Sequence, residues 1–75
     1  MITVECVRKA KKHSTSQWLV KRSGTIIGVL EKYNDTKTEK HPWKAFKGIG
    51  MACTFIQSFY PNEGGKTAAI QAVAS

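Results

Sequence analysis

Ile2, Val4 and Cys6 alternate with Thr3, Glu5 and Val7 at the start of the chain, the period-two spacing of a half-buried strand. Arg8 to Ser16 then carries four cations in five positions followed by His13-Ser14-Thr15-Ser16, which predicts a basic polar loop or arm over 8–16. Alternation resumes in Trp18-Leu19-Val20 and in Thr25-Ile26-Ile27-Gly28-Val29-Leu30, with Ser23-Gly24 between them. A two-residue turn containing Gly predicts a tight hairpin. With Arg22 paired to Thr25, Val20 falls opposite Ile27 and Trp18 opposite Val29, and those four share one face. Gln17, Leu19, Lys21 and Ile26 take the other. Gly28, opposite Leu19 in this register, marks a bulge or a close backbone approach.

The stretch 34–41 has no apolar residue and predicts an exposed loop. After Pro42, Trp43 to Lys47 is strand-like, with Trp43 and Ala45 facing one way and Lys44 and Phe46 the other; Gly48 and Gly50 close it. Met51 to Tyr60 fits two patterns. Ala52, Phe55, Ile56 and Phe59 fall at helical spacing, while the residue types favour a strand with Phe55 and Phe59 inward. Pro61 to Gly65 is a turn. Lys66 to Ala74 is rich in Ala, a helix former, and puts Ala69, Ile70 and Val73 on one side. A helix this short is marginal alone, so it must dock on the sheet. The expectation is one α+β domain over 1–75: a small antiparallel sheet of three to five strands with one C-terminal helix packed on a face.

Composition agrees with such a domain and adds one fact. The chain has 75 residues, 41% hydrophobic and 23% charged, ordinary values for a small globular unit. Twelve Lys and Arg against five Asp and Glu leave a net charge of +7, a field that attracts nucleic acid, an anionic membrane or an acidic protein. The first residues show no basic-then-apolar leader, and no run approaches the about 18 apolar residues of a membrane span. Cys6 and Cys53 form no Cys-x-x-Cys pair. They read as free, small buried hydrophobes in a reducing cytoplasm.

Motifs for chemistry are sparse. Gly64-Gly65-Lys66-Thr67 resembles the end of a phosphate loop, but Tyr60 stands where the first Gly of that pattern belongs; what remains is a Gly-rich helix N-terminus, read first as a plain helix start and second as a set of backbone N–H groups able to hold a phosphate. Cys6, His13, His41 and Cys53 lack the paired spacing of zinc ligands. No acids fall at catalytic spacing on one rigid element. The expectation is a protein without enzymatic activity or cofactor.

The cations carry the functional reading. Arg8, Lys9, Lys11 and Lys12 form one cluster, Lys21 and Arg22 flank the hairpin turn, and Lys44 and Lys47 lie beside Trp43 and Phe46. A strand face offering Lys21, Lys44 and Phe46 suits backbone grip and base stacking, whereas Trp18, Phe55 and Phe59 read as core. The order Trp18-x-Val20, Gly24, Ile27-Gly28-x-Leu30, Pro42-Trp43-x-Ala45, Phe59, Ala69-Ile70 resembles small accessory proteins of phages and mobile elements, in which a meander is followed by one packed helix. Trp18 to Leu30 is also similar to the DNA-binding sheets of plant AP2-type factors and integrase arm-binding domains, which share the Ile-Gly after the turn. Arg22 is the lone arginine of this hairpin, so the likeness implies binding of DNA or RNA with low sequence specificity. The competing expectation is an inhibitor or adaptor that attaches to an acidic face of a host protein, with Trp43 or Phe46 as anchor. Pairing of edge strands into a homodimer is compatible with both.

Overall fold

Five strands run antiparallel in chain order, β1 (Ile2–Arg8), β2 (Ser14–Arg22), β3 (Thr25–Asn34), β4 (Trp43–Lys47) and β5 (Thr54–Phe59), so each strand pairs only with its sequence neighbours. One helix, α1 (Gly65–Ala74), packs across β2 to β5 on one face. The α+β architecture expected from the sequence is therefore the observed one. The computed structural model describes residues 1–9, 14–34 and 41–75; the inner parts of the two expected loops, 10–13 and 35–40, lie outside the described residues. The expected loop over 8–16 is shorter than its polarity suggests. Arg8 still belongs to β1, and Ser14, Thr15 and Ser16 open β2, where small polar side chains extend the ladder and Ser16 is buried. Among the described residues, no helix is long and apolar enough to cross a membrane.

The Ser23-Gly24 turn forms as expected, with Arg22 opposite Thr25 and both turn residues at positive φ, 50° and 85°. That pair of conformations matches the right-handed twist of the flanking strands. The register beyond it differs from the unbroken count. A bulge leaves Ile27 extra between the pairs Lys21–Ile26 and Val20–Gly28. Val20 thus faces Gly28, Trp18 faces Leu30, and Val29 moves to the opposite face beside Leu19. A second bulge does the same in β5, the strand that the residue types favoured over a helix. Ala45 pairs with Gln57 but Phe46 with Phe55, which leaves Ile56 extra. Phe59 stays opposite Trp43 under the helix, whereas Phe55 is carried to the far face and is 52% exposed. The expectation that both phenylalanines point inward fails because one inserted residue inverts side-chain parity.

Rows across the sheet follow from the register. Beneath the helix lie Val4–Val20–Gly28, Cys6–Trp18–Leu30–Ala45 and Ser16–Lys32–Trp43–Phe59. Val20, Leu30, Ala45, Ala69 and Val73 are fully buried, and Ile2, Val4, Trp18, Ile27, Trp43, Phe59, Ile70 and Ala72 pack around them. The helix can approach because of Gly28. A Cβ there would lie 2.3 Å from the Phe46 carbonyl oxygen and 2.3 Å from Val73 Cγ1. The close approach inferred at Gly28 is real, and its partners are a neighbouring strand and the helix. Gly28→Ala is expected to cost about 1–3 kcal/mol through overpacking, read as a lower urea midpoint at unchanged m-value; an unchanged midpoint would remove this contact from the account.

Candidate functional site

In an up-and-down sheet, β1, β3 and β5 finish, and β2, β4 and α1 begin, at the same end. Trp18 and Trp43 lie near that end on the helix face, their ring centres 4.7 Å apart and their planes inclined at 45°. The Lys66 ammonium stands 5.5 Å from the Trp18 ring centre and 5.7 Å from that of Trp43, and Lys32 approaches Trp43 at 5.7 Å. All three distances are within the range of cation–π attraction. The Gly64-Gly65 pair explains the placement of Lys66. Both residues have positive φ, 99° and 49°, and a Cβ on Gly65 would sit 3.4 Å from Trp43 Cδ1. Gly65 lets the first turn of α1 press against the indole, and the next side chain then crosses the ring pair. Arg8 ends β1 at this same end, its Nε donating to the Thr15 carbonyl oxygen at 3.0 Å, and exposed Lys9 follows. The helix N-terminus adds its own partial positive charge.

The opposite end uses its cations differently. Arg22 donates to the carbonyl oxygen of Ala74, and Lys47 Nζ to that of Ser75. Both contacts satisfy carbonyls that a helix C-terminus leaves unpaired and complement its partial negative charge. Lys21 pairs with Glu5 at 3.5 Å. Three of the cations expected to grip a ligand are thus engaged within the fold at this end, and Arg8, through the Thr15 carbonyl, is a fourth at the other.

Among the described residues, no element covers the sheet face away from the helix. Glu5–Leu19–Val29–Phe46–Phe55 forms one row and Gln17–Glu31–Lys44–Ser58 the next toward the tryptophan end. The Phe46 and Phe55 ring centres are 5.5 Å apart at 62°, an edge-on pair. Lys21, Lys44 and Phe46 share this face, as the alternation implied. Gln17 Nε2 donates to Glu31 Oε2 at 3.1 Å. Tyr33 and His41 meet edge to face at 4.9 Å. Beside them a cavity of about 350 Å³ opens, lined by Thr15, Glu31, Tyr33, His41, Pro42 and Lys44.

Trp43 proves to be a half-buried prop for the helix start, and Phe46 is half-buried against Phe55. Lys11 and Lys12 lie outside the described residues. Cys6 is exposed on β1, and Cys53, half-buried, precedes β5; they belong to opposite edges of the sheet and both are free. The expected burial of Cys6 fails because β1 extends past the area that the helix covers. Among the described residues no three His, Cys, Asp or Glu side chains come together as a metal site. Sequence reasoning missed Lys32, Lys66, Glu31, Tyr33 and His41. Only Lys66 carried a local signal, the preceding Gly pair; the others depend on strand register. Comparison of the chain with protein-family models, curated proteins and solved structures yields no match.

Lys66→Met, which keeps an apolar stem, is expected to change the emission wavelength and quantum yield of the tryptophan pair while lowering stability by about 0.5–1 kcal/mol. Unaltered emission would show that the ammonium does not sit over the indoles.

Proposed function

We propose that this protein binds nucleic acid, without catalysis and with low sequence specificity, through the tryptophan end and the adjoining part of the open sheet face. The observation that carries the reading is the division of the cations by the helix. At the C-terminal end of α1, Arg22 and Lys47 bind helix carbonyls and Lys21 faces Glu5. At the N-terminal end, Lys32 and Lys66 lie at the tryptophan rings on the helix face, Lys44 stands on the open face, and Arg8 and Lys9 lie at the end of β1. Lys11 and Lys12, close in sequence to Arg8 and Lys9, add to the same electrostatic reading. Such an array neutralises successive phosphates and releases their counterions. Tyr33, Phe46 and Phe55 supply ring surface on the open face, the second ingredient of single-strand binding. A role as a phage-type accessory protein acting in the cytoplasm fits this chemistry.

The affected residues sort cleanly by experiment. Arg8→Ala, Lys32→Ala and Lys66→Ala are each expected to weaken binding of a fluorescent single-stranded oligonucleotide. Each should also lower the slope of log K against log salt by about 0.7, the contribution of one phosphate contact. Arg22→Ala and Lys47→Ala are expected to lower thermal stability and leave that slope unchanged. Binding that hardly responds to salt would sink the proposal.

A second reading has its own supporting observation. The row Leu19–Val29–Phe46–Phe55 is apolar, its flanking charges Glu5, Lys21, Glu31 and Lys44 are balanced in sign, and the edge strand β5 contains no charged residue. That is the composition of a protein contact with an apolar centre and a polar rim, suited to a host protein or a second copy. In a pull-down from lysate, this reading expects Phe55→Ser to abolish capture of one partner that persists after nuclease treatment. Capture that disappears with nuclease, together with a monomeric mass by light scattering, would leave it without support.

A further inference from the structure

The open-face cavity has a chemistry that phosphate neutralisation does not require. Its charged walls are one carboxylate and one ammonium, Glu31 and Lys44, directly opposite each other on β3 and β4. A site with balanced charges has little use for a bare anion; it suits a ligand that presents donors and acceptors side by side. Three rings, those of Tyr33, His41 and Pro42, line the cavity, and Tyr33 is more than a third exposed. The Pro42 ring is puckered and the Tyr33 and His41 rings stand edge to face at 78°, so one aromatic face is left to stack on a flat ligand. The volume, about 350 Å³, stands at the small end of the range for small-molecule sites, about 300–1,000 Å³.

The carboxylate is also oriented. Gln17 Nε2 holds Glu31 Oε2 from β2, and an ionised carboxylate with one donor in place keeps acceptor capacity on both oxygens. A carboxylate accepts; it offers no donor. Of the nucleobases, guanine carries two neighbouring N–H donors on its pairing edge, N1–H and the N2 amine, with the O6 acceptor next to them. Glu31 matches the two donors and Lys44 matches O6. Adenine and cytosine each present a ring-nitrogen acceptor at the middle of that edge, where a carboxylate repels it. Uracil and thymine offer one donor between two acceptors.

We propose that this cavity is a guanine-selective base pocket, with Glu31 and Lys44 reading the pairing edge, Gln17 positioning Glu31, and Tyr33, His41 and Pro42 enclosing the ring. The inference deepens the nucleic-acid reading and rests on it for the strand that delivers the base. The pairing edge is hidden in a duplex, so the pocket selects an unpaired guanine. It adds one point of base preference to a surface that is otherwise indifferent to sequence.

The test uses the full chain and fluorescent 12-nucleotide thymine strands carrying one central dG, dA, dC or inosine, with guanosine monophosphate as a separate ligand. The dG strand is expected to bind about tenfold more tightly than the dA or dC strand. Inosine, which lacks the N2 amine, should fall between them, and annealing a complement should erase the preference. Glu31→Gln and Lys44→Ala are each expected to reduce the dG preference toward unity while binding of the plain thymine strand by Glu31→Gln persists. Because Lys44 is exposed on its strand, its variant remains informative should Glu31→Gln fail to fold. Equal affinity for all four strands, with binding still salt-dependent, would overturn the pocket and leave the nucleic-acid reading standing. Saturable binding of guanosine monophosphate without strand binding would support the pocket and overturn that reading. Absence of binding to any of these ligands would overturn both.

Discussion

The structure depends on the contact between Val73 and Gly28. An Ala-rich helix of ten residues does not hold itself together in water, and a sheet leaves its apolar face in water until another element covers it. Each needs the other, and the sheet admits the helix only where a strand has no side chain. The bulge at Ile27 serves that need. It places Gly28 rather than Ile27 opposite Val20, so that the helix descends onto backbone while Val20 and Leu30 close on either side.

The functional surfaces follow from the seating of the helix. One end of α1 is fixed by Arg22 and Lys47 on its last carbonyls, the other by Gly65 against Trp43 with Lys66 over the ring pair. The molecule's excess positive charge is thereby divided. Cations beside the helix C-terminus complete its hydrogen bonds, and those beside the N-terminus add to the field of the helix itself. The helix covers one face, and among the described residues no element covers the other, so that Phe46, Phe55, Tyr33 and Lys44 become the second available surface. In the proposed binding mode, binding strength and base preference reside in different places, the cationic end and the cavity on the open face.

Much of the fold was legible because it is written in local patterns. Period-two alternation, the Ser23-Gly24 turn and the apolar side of the final helix each concern neighbours in sequence, and meander topology requires little beyond them. Parity was not legible past a bulge. Nothing in Ile26-Ile27 or Phe55-Ile56 announces which residue is extra, and one insertion in each strand moved Val29 and Phe55 to the far face. The site was harder to read for the same reason. Glu31 and Lys44 are opposed, and Lys32 and Trp43 likewise, only once the register of β3 against β4 is known. The roles of Arg22 and Lys47 as helix caps depend on where a chain segment some fifty and thirty residues onward comes to rest, on the separations of 52 and 28 residues that their hydrogen bonds span. A positive side chain beside an aromatic one is the same pattern whether it caps a helix or grips a phosphate.

The proposed binding mode requires that the helix divide the cations into a structural set and a ligand-binding set. The most direct measurement is a titration of ¹⁵N-labelled protein with a single-stranded thymine oligonucleotide, followed residue by residue in amide spectra. The largest shifts are expected at Arg8, Lys9, Lys32, Tyr33, Lys44 and Lys66, with little change at Lys21, Arg22, Lys47 and Ala74. Shifts concentrated at the latter group, around the C-terminal end of the helix, would contradict it.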